Sequence, residues 1–121
     1  MRYVLLIYAE EATSPPAQED IDANMAEWFA FDGAIKGAGI VLASDALQPT
    51  QTATSVVLKG DERVVTDGPF AETREALGGY YVVDVPDLDT AIDWAAKCPG
   101  AKYGTMEVRP VLAFDDYEPP A

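Results

Sequence analysis

Apolar and polar positions alternate along this chain in two periods, and the change of period marks the elements. "RYVLLIYA" (residues 2–9) is a nearly continuous apolar run rich in branched and aromatic residues, the pattern of a central strand covered on both faces. "EEATSPPAQED" then breaks the run, with Ser14, Pro15 and Pro16 as a loop. From Ala17 to about Gly37 the period becomes helical, and at 100° per residue Ile21, Met25, Trp28, Phe29 and Ile35 fall on one arc. Gly37 and Gly39 supply the stop. "IVLASDAL" reads as a second strand closed by Gln48-Pro49, and "TATSVVLKGDERVVTDG" as a hairpin turning at Gly60-Asp61. "GGYYVVDV" is another strand, broken by Pro86. Asp87 is placed to cap the helix "LDTAIDWAAKC", whose inner face would hold Leu88, Ala91, Ile92 and Ala95. "YGTMEVRPVLAF" is the last strand. Residues 1–112 form the predicted single domain and 113–121 a tail that should fray.

The predicted order is β-α-β, a hairpin, then β-α-β. Two helices on an antiparallel sheet make an α+β sandwich of the ferredoxin-like kind. In "YYVVDV", Tyr81, Val83 and Val85 lie on one face, and Tyr80, Val82 and Asp84 on the other. The first strand divides in the same way, with Tyr3, Leu5 and Ile7 against Val4, Leu6 and Tyr8. Two helices cover only one face of such a sheet, yet the second face is also substantially apolar. A second copy of the chain, in a homodimer, is the simplest cover.

Composition narrows the partners. The 121 residues are 49% hydrophobic, enough for one domain with its own core. Eight basic residues against 21 acidic ones leave a net charge of −13, which repels phosphate backbones and anionic lipid, so nucleic acid and membrane are poor partners. Cys98 is the single cysteine and there is no histidine, which excludes an internal disulfide, the usual zinc ligand sets and a Cys–His nucleophile. The apolar run in "MRYVLLIYAEE" is too short for a signal peptide core or a membrane span, so the expected location is cytoplasmic.

"DGPFAETREALGGYYVVDVPDLDTAIDWAAKCP" followed by "GTMEVRPV", with the opening "MRYVLLIYAEE", resembles the DGPF proteins of the YCII-related family over essentially residues 1–112. The resemblance implies a small bacterial protein with a ferredoxin-like fold that pairs through its sheets, in the manner of dimeric α+β barrels. It implies no reaction. Genes of such proteins often neighbour those of extracytoplasmic-function sigma factors, which implies an accessory or regulatory setting as the alternative to an enzyme. A few relatives in the wider superfamily act on small aromatic or lactone-like compounds with a histidine and an aspartate. This chain has no histidine, so that pair does not carry over.

Any chemistry must therefore rest on carboxylates, Arg, Tyr, Thr or a bound metal. Asp67-Gly68-Pro69 is turn chemistry, with Phe70 as a hydrophobic plug; Asp67 either builds the turn or faces a pocket as a proton carrier. Glu72, Thr73, Arg74 and Glu75 either clamp a polar ligand or pair among themselves on the surface. Oxygen ligands of this kind suit a magnesium-like ion, but nothing in the pattern indicates a metal or another cofactor. Gly78-Gly79 suggest a bulge or a tight strand entry, with ligand approach second.

Asp32 lies inside the apolar arc of the first helix, where a carboxylate is costly to bury without a partner. Lys36, four residues on, and Arg109 in the last strand are candidate partners. Asp32 is then either a paired, partly wet acid or a desolvated acid with a raised pKa suited to proton transfer. Arg109 is either the partner of Glu107 or an anion anchor, and Tyr80 and Tyr8 are candidate pocket walls. Cys98 is expected to be a small buried filler.

Overall fold

The computed structural model of the protein describes residues 1–115 and 117–120. Asp116 and Ala121, which belong to the expected tail, lie outside the described residues. In chain order the elements are β1 (Arg2–Ala9), α1 (Gln18–Gly37), β2 (Val41–Ala46), a single 3-10 turn at Thr50–Thr52, β3 (Thr54–Lys59), β4 (Glu62–Asp67), β5 (Ala76–Asp84), α2 (Leu88–Lys97), α3 (Pro99–Tyr103) and β6 (Thr105–Pro110). Four strands form an antiparallel sheet in the order β2-β5-β1-β6. β3 and β4 form a separate two-stranded hairpin, inserted between an edge strand and a central strand. The fold is α+β and consistent with the ferredoxin-like arrangement.

The alternation in β5 separates the two faces as its sequence predicts. Tyr81, Val83 and Val85 are buried with Tyr3 and Leu5 of β1 beneath Phe31 and Ile35 of α1 and Ala91 and Ala95 of α2. Phe31 is the hub, set edge-on to Tyr81 at 5.5 Å, Trp94 at 6.4 Å and Trp28 at 6.5 Å. Among the described residues no helix covers the opposite face, where Val4, Leu6, Tyr80 and Val82 are half-buried.

The helices meet the sheet through different faces from those the apolar arcs predict. In α1 the core side is Trp28, Phe31 and Ile35, about 60° round from the centre of the expected arc at 100° per residue. Met25 and Phe29 are exposed, as is Ile21 at its margin. In α2, Ala91 and Ala95 are buried as expected, but Leu88 and Ile92 are exposed and Trp94 packs against the core instead. The α1 arc counted apolar residues that edge a groove, Met25 and Phe29, together with those that fill the core. Asp87 does cap α2, accepting from the Thr90 amide at 2.9 Å.

Two further expectations change, and of the two readings of Gly78-Gly79 the bulge is found. Pro99 starts α3, a position that needs no donated amide hydrogen, so Tyr103 is helical and the last strand starts only at Thr105. Phe70 is 91% exposed and plugs nothing within the chain. Gly78 and Gly79 sit inside β5, which already begins at Ala76. Ile7 pairs with Gly79 and Tyr8 with Leu77, so Gly78 is the extra residue of a bulge. A Cβ at Gly79 would lie 2.9 Å from the Asp45 carbonyl oxygen, so only glycine fits the seam between β5 and β2.

Candidate functional site

A groove of about 540 Å³ runs between α1 and the β2–β5 edge of the sheet. That is within the range of small-molecule sites. The offset of α1 builds it. Because Trp28, Phe31 and Ile35 face the core, the next strip of the helix, with Met25, Phe29, Asp32 and Lys36, looks over the sheet edge. Ser44 of β2 and Tyr81 of β5 face it from the other side, while Asp45 and Tyr80, which border it along the strands, turn their side chains to the opposite face of the sheet.

The polar centre of this groove is Asp32. Its Oδ1 accepts a hydrogen bond from the Tyr81 hydroxyl at 2.7 Å, and Lys36 Nζ lies 3.0 Å from its Oδ2. About a third of the Asp32 side chain remains exposed. The tyrosine hydroxyl, and after it the lysine, hold the Asp32 carboxyl below the ordinary aspartate range; desolvation opposes them and is outweighed. Asp32 is therefore an ionised, paired acid, and the raised pKa considered for it is not found. Burial, and then the hydrogen bond to Asp32, push the Tyr81 phenol up, so it stays a protonated donor. Asp45 Oδ2 accepts from the Tyr80 hydroxyl at 2.8 Å, and that bond pushes the Tyr80 phenol up as well.

The other candidate residues lie elsewhere. Arg109 does not meet Asp32. It pairs with Glu107 at 2.5 Å on β6, where both alternate with the core-facing Met106 and Val108. Tyr8, Glu75, Thr105 and Glu107 border a shallow hollow, in which Thr105 donates to Glu75 at 2.9 Å. Asp67 ends β4 opposite Thr54 and does not line the α1 groove. The turn after it is held by the Gly68 amide on the Ala53 carbonyl at 2.6 Å and by Ser55 Oγ on the Gly68 carbonyl at 2.8 Å, with Gly68 at φ 96°.

Glu72 is exposed on the loop before β5, and the Thr73 hydroxyl donates to the Glu75 carbonyl at 2.5 Å. Arg74 reaches Glu10 rather than its neighbours in "ETRE". Among the described residues no cluster of three acidic or thiol side chains is placed to hold a metal ion. Cys98 is buried, and burial pushes its thiol up.

Lys36 as the partner of Asp32 was readable from the sequence, but Tyr81 was missed. The signal existed: Tyr81 shares a face with Val83, which points it at the helices, and Asp32 lies on the helix stripe. Their 49-residue separation hid the contact.

Comparison with known proteins bears on the family. The YCII-related domain pattern matches residues 1–115. An uncharacterised protein of Rhizobium meliloti (strain 1021) is 35% identical over 124 aligned positions, covering 100% of both chains. A tRNA uridine(34) hydroxylase of Corynebacterium glutamicum (strain R) is 32% identical over 76 positions, 63% of this chain but 24% of that protein. A domain match over nearly the whole chain, together with a full-length relative, shows that the chain belongs to the YCII-related family.

Proposed function

We propose that the protein is a homodimeric small-molecule binder whose ligand occupies the groove between α1 and the β2–β5 edge, with Asp32 as the group that meets it. The observation that carries this reading is the Asp32–Tyr81–Lys36 array on the wall of a largely apolar groove. Asp32 is ionised and partly exposed, so it accepts a hydrogen bond or a proton from a ligand. Tyr81 fixes its orientation, and the aromatic rings and Met25 supply the apolar wall. If the protein is an enzyme, Asp32 acts as a base and not as a reservoir of acid.

Asp67 takes the role of turn builder, and Tyr8, Arg109, Glu72 and Thr73 lie outside this binding site. The net charge of −13 argues against an RNA substrate of the kind in the hydroxylase's name, and a cytoplasmic setting suits the acidic surface. The dimer is supported by the half-buried Val4, Leu6 and Val82 on the uncovered sheet face.

The test is a thermal-shift screen of metabolites and fragments. Compounds that stabilise the wild type are expected to lose their effect on Asp32→Asn. Equal shifts for both proteins would remove Asp32 from the site.

A second reading is a non-catalytic accessory protein, in the sigma-factor setting that the resemblance implies. It is favoured by the β3–β4 hairpin, which exposes Val56, Val65 and Leu58 on one face and Val57 on the other. A two-stranded hairpin is marginal without cover. Recovery of a protein bound to the wild type but not to Val57→Lys would support that reading.

A further inference from the structure

We propose that the β3–β4 hairpin is an arm that folds over a second copy of this chain, with Val56, Leu58 and Val65 as its contact face. The inference rests on the homodimer reading, and it gives the hairpin to the second copy and not to a foreign protein. It follows from how much surface the single chain exposes and from where that surface lies.

The chain exposes 8966 Å² for a mass of 13.0 kDa. A compact folded monomer of that mass exposes about 6,300 Å². The tail at 113–121 accounts for at most about 1,400 Å², the exposure of an unfolded chain of its length, so about 1,200 Å² or more of the excess remains. A standard interface takes about 800 Å² from each partner, and obligate homodimers take more. The excess is therefore the size of a dimer interface.

The uncovered sheet face supplies only part of it, because Val4, Leu6, Tyr80 and Val82 are already half-buried there. The hairpin is the reverse case. Between Thr54 and Asp67 only Ser55 and Val64 are half-buried, and the rest are exposed. β3 and β4 contact chiefly each other. Val56 lies opposite Val65 and Leu58 opposite Arg63, so strand alternation puts these four on one face. Ser55 and Val64 lie on the other, which leaves the first as the free face; Leu58 is 69% exposed on it.

A two-stranded hairpin is marginal in water without cover. Arg63 has no ion-pair partner among the described residues, and a second copy with a net charge of −13 offers it carboxylates. Two-fold pairing also covers sheet face and hairpin together, since each copy brings the same two surfaces. A foreign protein seated on the hairpin would leave the sheet face open.

The experiment is light scattering of the full chain at micromolar concentration, with amide hydrogen exchange across β3 and β4, on the wild type, Leu58→Asp and Val82→Asp. The wild type is expected to be a dimer with protected hairpin amides. Leu58→Asp puts a carboxylate into the contact and is expected to weaken the dimer about tenfold or more. Its core is untouched, because Leu58 is exposed in the single chain, and an unchanged circular dichroism spectrum checks this. Val82→Asp, monomeric through the sheet face, is expected to lose the hairpin protection.

A Leu58→Asp chain that dimerises as tightly as the wild type would overturn the arm and leave the sheet-face dimer standing. Hairpin amides that exchange at equal rates in the wild-type dimer and in monomeric Val82→Asp would do the same, and would leave the hairpin to a different protein. A monomeric wild type would remove the dimer reading and the arm together.

Discussion

Tyr81→Phe removes one oxygen and leaves the ring in its edge-on contact with Phe31, so it isolates the hydrogen bond to Asp32. Hydrogen bonds to charged groups contribute about 1.5–3 kcal/mol when their surroundings are dry. Here a third of the Asp32 side chain is wet, and water can replace much of what the phenol supplies. The expected loss is therefore about 1 kcal/mol at neutral pH, read as a fall in Tm of about 4 °C.

The pH dependence has a definite sign. Asp32 has its carboxyl lowered from the ordinary value near 3.8, first by Tyr81. A depressed carboxyl contributes stability that is fully present above its unfolded value and lost as pH falls through its folded value. The gap between wild type and Tyr81→Phe should thus be constant from neutral pH down to about 5, and should close below the folded-state value. Urea unfolding followed by circular dichroism at a series of pH values measures it. No destabilisation at neutral pH, or a gap that persists unchanged into strong acid, would refute the assignment of Asp32 as an ionised acceptor.

Three other outcomes follow from the same geometry. Gly79→Val places a Cβ against the Asp45 carbonyl, where backbone and not a yielding side chain must move; a loss of about 1–3 kcal/mol is expected in urea unfolding. Phe70→Ala should leave the unfolding midpoint of a monomeric form unchanged, because the ring is 91% exposed; a clear loss there would show that it packs within its own chain. Val82→Asp puts a charge on the uncovered sheet face and should yield monomers by light scattering with an unchanged circular dichroism spectrum. A wild type that is itself monomeric at micromolar concentration would end the dimer proposal.

The sheet was legible in the sequence because a period of two admits one interpretation. Once Tyr81, Val83 and Val85 are set on the same face, the burial of that face follows. The helix faces were less legible for a physical reason. Apolar residues that border a groove and apolar residues that fill a core look alike on a helical wheel. In α1 the two sets run side by side, with Trp28, Phe31 and Ile35 inward and Met25 and Phe29 on the lip.

Asp32 drew attention as a charge within an apolar arc. That anomaly marks the boundary between the two sets, since the acid lies where the helix turns from core to groove. Its partner Lys36 is local and was read, whereas Tyr81 arrives through the sheet from 49 residues away and was missed. The conformation of Gly68 in the Asp67-Gly68-Pro69 turn was legible too, since it lies in the left-handed region. Phe70 after it was expected to act as a plug, and within the single chain it plugs nothing, being 91% exposed.

The central claim is that ligands enter the groove that Asp32 lines. The most direct measurement is amide shift mapping of the wild type with any compound that raises its Tm. The expected result is shifts concentrated at Asp32, Lys36, Ser44 and Gly79 that disappear in Asp32→Asn. Shifts centred instead on Tyr8, Glu75 and Thr105, with Asp32 silent, would contradict it.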